Sequence, residues 1–293
     1  MNNIGCNSMV DPLRRLIMKS PLCAWKDTYN VKKSWKDLYY SAEPNFDKAV
    51  LQYNNLISII KSFGIDILML PNNDNTSLDS IYTHDAGIAT SSGIIICNMG
   101  KKSRKSEPKA LKDFLSDNNI SVIGEIKYPG IIEGGDIIWI NNRTMAVGEG
   151  YRTNKEGIRQ LKEILGDEID DLIRVPLPHW LGPESCLHLM SNVSPIDHNL
   201  YLIYPKLLPV KFIKYLKSLN IKLINVPDKE YESMACNVLS LAPKKCIMMS
   251  GNPITKKLLE SNNVEVFTYD GSEISLKGAG GPTCLTRPIY RQK

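Results

Sequence analysis

Four short polar clusters, spaced along 293 residues, carry the side chains that could do covalent chemistry. They are Asp79-Ser80-Ile81-Tyr82-Thr83-His84-Asp85, Glu133-Gly134-Gly135-Asp136, Leu187-His188-Leu189-Met190-Ser191 and Lys277-Gly278-Ala279-Gly280-Gly281-Pro282-Thr283-Cys284. In chain order they offer an acid, an acid, a histidine and a cysteine. A cysteine attacks as its thiolate, a histidine titrates near neutrality and can carry a proton, and carboxylates hold cations. Such a set works only if the fold brings distant parts of the chain to one place.

The elements between the clusters repeat. Asp47 to Phe63 has Val50, Leu51, Leu56, Ile57 and Ile60 on roughly one helical face and runs into the strand-like Ile65–Leu70. A second helix begins at Ser106-Glu107-Pro108, with Ser106 as N-cap and Pro108 in the first turn, before Ile120–Gly124. Asn154–Leu165, Pro209–Leu219 and Pro253–Ser261 repeat the pattern, each followed by a β-rich stretch. Hairpin-like pairs lie between, at Gly135–Val147, His188–Tyr204 and Asn237–Met249. A doubly wound sheet would need a glycine-rich phosphate loop after its first strand, and Leu16–Pro21 offers none. Five strand-pair, helix and strand units therefore predict one domain over residues 1–293, closed around a central cavity into which the polar joints converge.

Composition narrows the partners. At 43% hydrophobic and 23% charged, with no low-complexity tract, the chain reads as globular, and its apolar runs stop short of the ~18 residues of a membrane span. No signal peptide is expected from Met1–Pro12. The net charge of +5 is spread out except at Lys101–Lys105, without the basic stripe and interleaved aromatics of a nucleic-acid protein. Seven cysteines without CxxC pairs predict free thiols, a cytoplasmic setting and no zinc cluster.

Order and spacing of these motifs, from Met9–Arg15 to Arg287-Pro288, resemble the guanidino-modifying enzymes of the pentein fold, and most the dimethylarginine dimethylaminohydrolase branch. The resemblance implies an α/β five-bladed propeller of ββαβ repeats, agreeing with the repeat count. It implies catalytic roles for three residues: Cys284 as nucleophile, His188 as general acid and base, and Glu133 as its acidic partner. It also implies substrate binding by four others. Asp85 would clamp the guanidinium with Asp79 as a second acceptor, while Arg104 and Arg152 would bind an α-carboxylate. The expected partner is a small guanidino amino acid, with no cofactor, metal, nucleic acid or membrane, and a homodimer is compatible with it.

The chain also departs from these relatives. Met190 stands where arginine deiminases and amidinotransferases carry an acid, and His84-Asp85 stands where the dimethylarginine branch has Glu-Asp. His84 either turns away as a structural residue or reshapes substrate choice. Cys186 is expected to pack in a strand, and His179 and His198 to sit in a loop and a turn. The glycines before Cys284 are expected to let the backbone crowd a ligand. Arginine deimination and amidino transfer are the alternatives within the class. A non-catalytic pentein binding protein would lack the Cys, His and acid set.

Overall fold

The computed structural model describes residues 4–292. Strand β1 (Leu13–Met18) leads through two short helices, α1 (Pro21–Ala24) and α2 (Thr28–Ser34), to the long helix α3 (Phe46–Ser62) and β2 (Asp66–Met69). The next unit is β3 (Gly87–Ala89), β4 (Ile94–Ile96), α4 (Glu107–Asp117) and β5 (Val122–Glu125). Then come β6 (Ile137–Asn141), β7 (Thr144–Glu149), α5 (Lys155–Leu165) and β8 (Asp171–Pro176). They are followed by β9 (Val193–Asp197), β10 (Leu200–Ile203), α6 (Val210–Ser218) and β11 (Lys222–Asn225). After a short helix α7 (Asp228–Tyr231), the last unit is β12 (Leu239–Ala242), β13 (Lys245–Met249), α8 (Pro253–Glu260) and β14 (Glu265–Tyr269), and β15 (Arg287–Arg291) ends the chain.

These strands form five three-stranded sheets, in which a hairpin strand pairs antiparallel with the middle strand and the strand after the helix pairs parallel with it. The first sheet borrows its hairpin strand from the other end of the chain. β15 lies antiparallel to β1 with Leu16 opposite Pro288 and Ile17 opposite Arg287, while β2 lies parallel on the far side. That exchange brings β1 and β15 into one blade, so the architecture is the closed five-fold arrangement the repeats predict and the α/β pentein propeller the resemblance implies.

Local sequence explains the units. Helix α3 buries Ala49, Tyr53, Leu56 and Ile60 at helical spacing. Asn154 caps α5 by accepting from Gly157 N–H, and Gly166 ends it with φ of 47°. Ser106 occupies the predicted N-cap of α4 but does not cap it. Its backbone is helical and its hydroxyl donates to the Asn75 carbonyl instead. Among the described residues five hydrophobic clusters fill the fold, the largest gathering Leu16 from β1, Trp25 just past α1, and Tyr53 and Leu56 from α3. Truncating a fully buried leucine such as Leu56 costs about 2–5 kcal/mol. None of the described helices is long and apolar enough to cross a membrane.

The repeat places its joints alike. Just ahead of β3, β6, β9, β12 and β15 stand Asp85, Glu133, His188, Asn237 and Cys284, one in each unit. Four of the five belong to the set read from sequence. Asn237 is the fifth.

Candidate active site

Glu133 is wholly buried at the start of a 3-10 turn, Gly134–Asp136. One carboxylate oxygen accepts from the amides of Gly100 at 2.9 Å and Lys101 at 3.0 Å. The other accepts from His188 Nε2 at 2.8 Å and faces Arg152 Nη1 at 3.4 Å. Burial would raise the Glu133 carboxyl, but the His188 hydrogen bond and the charges of His188 and Arg152 hold it below its ordinary value.

His188 is the last extended residue before another 3-10 turn, and Ser191 Oγ accepts from its backbone N–H. Burial alone would favour the neutral ring. The negative charges of Cys186, Asp85 and Asp136 overcome it and hold the imidazole well above its ordinary pKa. Asp136 carries the turn: it accepts from Leu189 N–H at 2.9 Å and from the Thr153 hydroxyl at 2.6 Å.

Asp85 lies on the other side, 3.9 Å from His188 Nδ1. One of its oxygens accepts from Gly135 N–H at 3.0 Å and the other from Arg104 Nη1 at 2.5 Å. Burial works to raise its pKa, and Arg104, His188 and His84 bring it down. Gly135 makes this meeting sterically feasible, because a Cβ there would stand 2.4 Å from His188 Nδ1 and 2.9 Å from Asp85.

Cys284 Sγ accepts from Asn237 Nδ2 at 3.2 Å, and Asn237 Oδ1 takes the Thr283 amide and hydroxyl. Burial and the charge of Asp85 push the thiol up to about 11. The glycines ahead of it bring backbone to the wall of the polar cavity, where Gly278 and Gly280 line it, and they are hemmed in by side chains. A Cβ on Gly280 would stand 2.4 Å from the Tyr82 ring and one on Gly281 2.5 Å from Asn237, so they make room for protein side chains that set the nucleophile turn.

Cys284 stands between two cavities. A polar one of about 130 Å³ is lined by Asp79, Asp85, Lys101, Arg104, Arg152 and Cys284. A larger one of about 350 Å³ is lined by His84, His188, Met190, Trp180, Tyr231 and Cys284. All seven site residues read from sequence thus gather around one place, although not all are free for the expected contact. Arg104 is enclosed: Nε and Nη2 donate to Glu107 at 2.9 and 2.8 Å, Nη2 to the Tyr82 carbonyl and Nη1 to Asp85. A guanidinium so committed supports Asp85 and keeps one Nη1–H of its five donors uncommitted where it lines the polar cavity. Asp79 holds Lys101 Nζ at 2.7 Å, and the same ammonium donates to the Leu38 carbonyl at 3.0 Å. Asp79 thus tethers Lys101 through Oδ2 while it lines the polar cavity beside Cys284. Arg152 keeps the more open guanidinium, with Glu133 its partner.

His84 is buried and donates Nδ1–H to the Thr286 carbonyl at 2.8 Å. Burial and Arg287 push its pKa down to about 3, so it enters the larger cavity as a neutral ring. Cys186 is not strand packing. It lies in the loop before His188, with Sγ 3.5 Å from His188 Nδ1, and lines both cavities. Burial raises its thiol, but His188 and Arg152 more than offset this and lower its pKa. Asn237, Asp136, Lys101 and Glu107 escaped sequence reasoning. Asp136 had a signal in its polar cluster, and Asn237 in its place ahead of the first strand of the one unit assigned no polar residue.

The ligand atoms of Asp85, Glu133 and His188 lie within 4.8 Å of one another, close enough for a cation to bridge. A metal ion would have to break the His188–Glu133 hydrogen bond. A guanidinium brings N–H donors, which suit carboxylate oxygens that already accept N–H groups.

A profile of the family described as "N,N dimethylarginine dimethylhydrolase, eukaryotic" matches residues 24–291. The N(G),N(G)-dimethylarginine dimethylaminohydrolase of Pseudomonas aeruginosa is 28% identical over 246 residues, covering 83% of this chain and 89% of that one. An arginine deiminase of Oenococcus oeni is 24% identical over 72% of this chain and 60% of its own. The crystal structure of the Pseudomonas enzyme complexed with citrulline superposes with a TM-score of 0.76 at 25% identity, over 95% of this chain and all of that one. The N-terminal domain of a cyanobacterial arginine dihydrolase shares the fold, with a TM-score of 0.79 at 21% identity over 96% of this chain and 98% of that one. With the profile spanning nearly every blade and the buried Cys, His and acid set at its joints, the chain belongs to the N,N-dimethylarginine dimethylhydrolase family.

Proposed function

We propose that this chain is a hydrolase that cleaves a C–N bond at the guanidino carbon of an Nω-methylated arginine, releasing citrulline and an alkylamine. The observation that carries this reading is the position of Cys284 between a polar cavity and a larger one walled by Met190, Trp180 and Tyr231. The amino-acid end belongs in the polar cavity, where Arg152 can pair with an α-carboxylate in two-pronged fashion. The substituted nitrogen points past His188 into the larger cavity, where an N-methyl group finds Met190 and a mostly apolar wall.

Asp85 and Glu133 hold the substrate cation. That cation offsets the carboxylate charge that keeps Cys284 protonated, so binding helps to ionise the thiol. The thiolate attacks the guanidino carbon, and His188 gives its proton to the departing amine as the C–N bond breaks, leaving a thiouronium on Cys284. His188 then takes a proton from water, whose oxygen adds to the same carbon. As the C–S bond breaks, the hydroxyl proton passes to the departing sulfur, which restores the Cys284 thiol and releases the ureido product. The free thiols throughout the chain support a reducing compartment.

The test is a substrate panel of L-arginine, Nω-methyl- and Nω,Nω-dimethyl-L-arginine and agmatine, with products identified by mass. Methylated arginines should give citrulline and methylamine or dimethylamine with the highest kcat/KM, and agmatine should be poor. A preference for arginine with ammonia release would make the chain a deiminase. Turnover of none of them would remove the reading.

A further inference from the structure

Behind His84, on the side away from Met190 and Trp180, lies a cavity of about 30 Å³ lined by Arg287, Arg291, His84, Cys6, Ile137 and Trp139. Both arginines are only 6% exposed. Arg291 donates to two backbone carbonyls, of Asp11 at 2.5 Å and Ser240 at 2.8 Å, which are neutral acceptors. Arg287 makes no side-chain hydrogen bond or ion pair among the described residues, and its Nε is sealed from solvent without an acceptor. A buried guanidinium stays charged, and an unpaired buried charge is among the costliest features a fold can carry.

The surrounding groups give Arg287 no negative partner in contact, although Asp85 acts on it and Asp11 on Arg291 through space. Asp85 is taken by Arg104. The Asp11 carboxylate turns to His198 Nε2 at 3.2 Å. Burial pushes the thiols of Cys6 and Cys97 up, so both are neutral, and His84 is neutral as well. A water would satisfy Nε but leave both guanidinium groups without an anion in contact. The cavity has room for about two waters at the ~10–15 Å³ that each needs, and the rest of its wall is largely apolar. An oxyanion such as sulfate would set several oxygens against that apolar wall, away from the two guanidinium groups.

We propose that Arg287 and Arg291 bind a single monatomic anion of the halide class in this cavity, and that the anion helps set the nucleophile turn. The connection is short. Arg287 follows Thr286, whose carbonyl holds His84 Nδ1, and the His84 amide donates to the carbonyl of Cys284 at 3.2 Å. His84 thus touches the anion cavity on one side and the cavity of Cys284 on the other.

The experiment uses the full chain exchanged into sodium gluconate, titrated with sodium bromide at constant ionic strength, with Tm as the readout. Gluconate is too bulky to enter. Bromide should raise Tm saturably by about 5 °C, and Arg287→Met should abolish the response. Crystals grown in bromide should show anomalous scattering in contact with Arg287 Nε, a result that needs no variant to fold. An unsaturable rise equal to that in gluconate would overturn the proposal, and so would water alone at the Arg287 site. Neither readout depends on the substrate, so failure here would leave the hydrolase reading standing.

Discussion

His188 Nε2 and Glu133 Oε2 meet at 2.8 Å with at most 4% of either side chain exposed. The pair fixes which nitrogen is free: Nδ1 faces Asp85 and Cys186, so it is the nitrogen from which a proton can reach the leaving amine. As a proton donor His188 must enter the reaction charged, and its surroundings favour that form. Glu133→Gln keeps the shape and removes the charge. It should lower kcat by about 10²–10⁴-fold and move the alkaline limb of the kcat profile to lower pH, because the imidazolium loses its partner. An unmoved limb in a pH-rate series would show that Glu133 does not tune His188.

The two cysteines of the site differ in resting reactivity. Cys186 lies beside His188 and its pKa is lowered, whereas burial and Asp85 push Cys284 up to about 11. Brief iodoacetamide treatment without substrate should therefore label Cys186 before Cys284, as read by peptide mass. The covalent intermediate should still form on Cys284. Cys284→Ser should abolish turnover with Tm within a few degrees, and Cys186→Ser should retain it. Loss of turnover in Cys186→Ser with a normal Tm would reverse the assignment.

Much of this site was legible because a repeat announces itself twice, in its helices and in its joints. Glu133, His188 and Cys284 stand next to glycines or a short turn whose spacing fits no ordinary strand. The two arginines and Asp79 were harder. Sequence can place Arg104 near Asp85, but only the turn of α4 shows that Glu107, three residues on, closes around the same guanidinium. Lys101 sat in a basic run that reads as solvated surface, and its ammonium is bound by Asp79 and the Leu38 carbonyl. Side-chain partners chosen across blades leave no periodic trace.

Arg104 and Arg152 should separate by what they disturb. Removing Arg104 strands two buried carboxylates, Asp85 and Glu107, and burial already pushes Glu107 up to about 7 even with the arginine present. Arg104→Ala should cost about 3–5 kcal/mol in urea unfolding. Arg152→Ala should leave stability nearer the wild type and raise KM for amino-acid substrates, with less effect on agmatine. A stable Arg104→Ala enzyme with only a raised KM would restore it as a carboxylate clamp.

Asp136 gives a stability signature with a definite sign. Burial raises its carboxyl to about 6 even though His188 acts to lower it, while an unfolded chain has an aspartate near 3.9. Because the folded pKa is the higher one, the contribution of Asp136 to stability is fully present below about pH 4 and is lost as pH rises through about 6. In Asp136→Asn the new carboxamide does not titrate. Its carbonyl can still accept from Leu189 N–H while its amide meets a reoriented Thr153 hydroxyl. Measured by urea unfolding from pH 4 to pH 7, Asp136→Asn should gain on the wild type by roughly 2–3 kcal/mol across that interval. A difference that stays flat with pH would mean that Leu189 and Thr153 stabilise the ionised carboxylate as well as water does, and that the charge facing His188 from this side is present throughout.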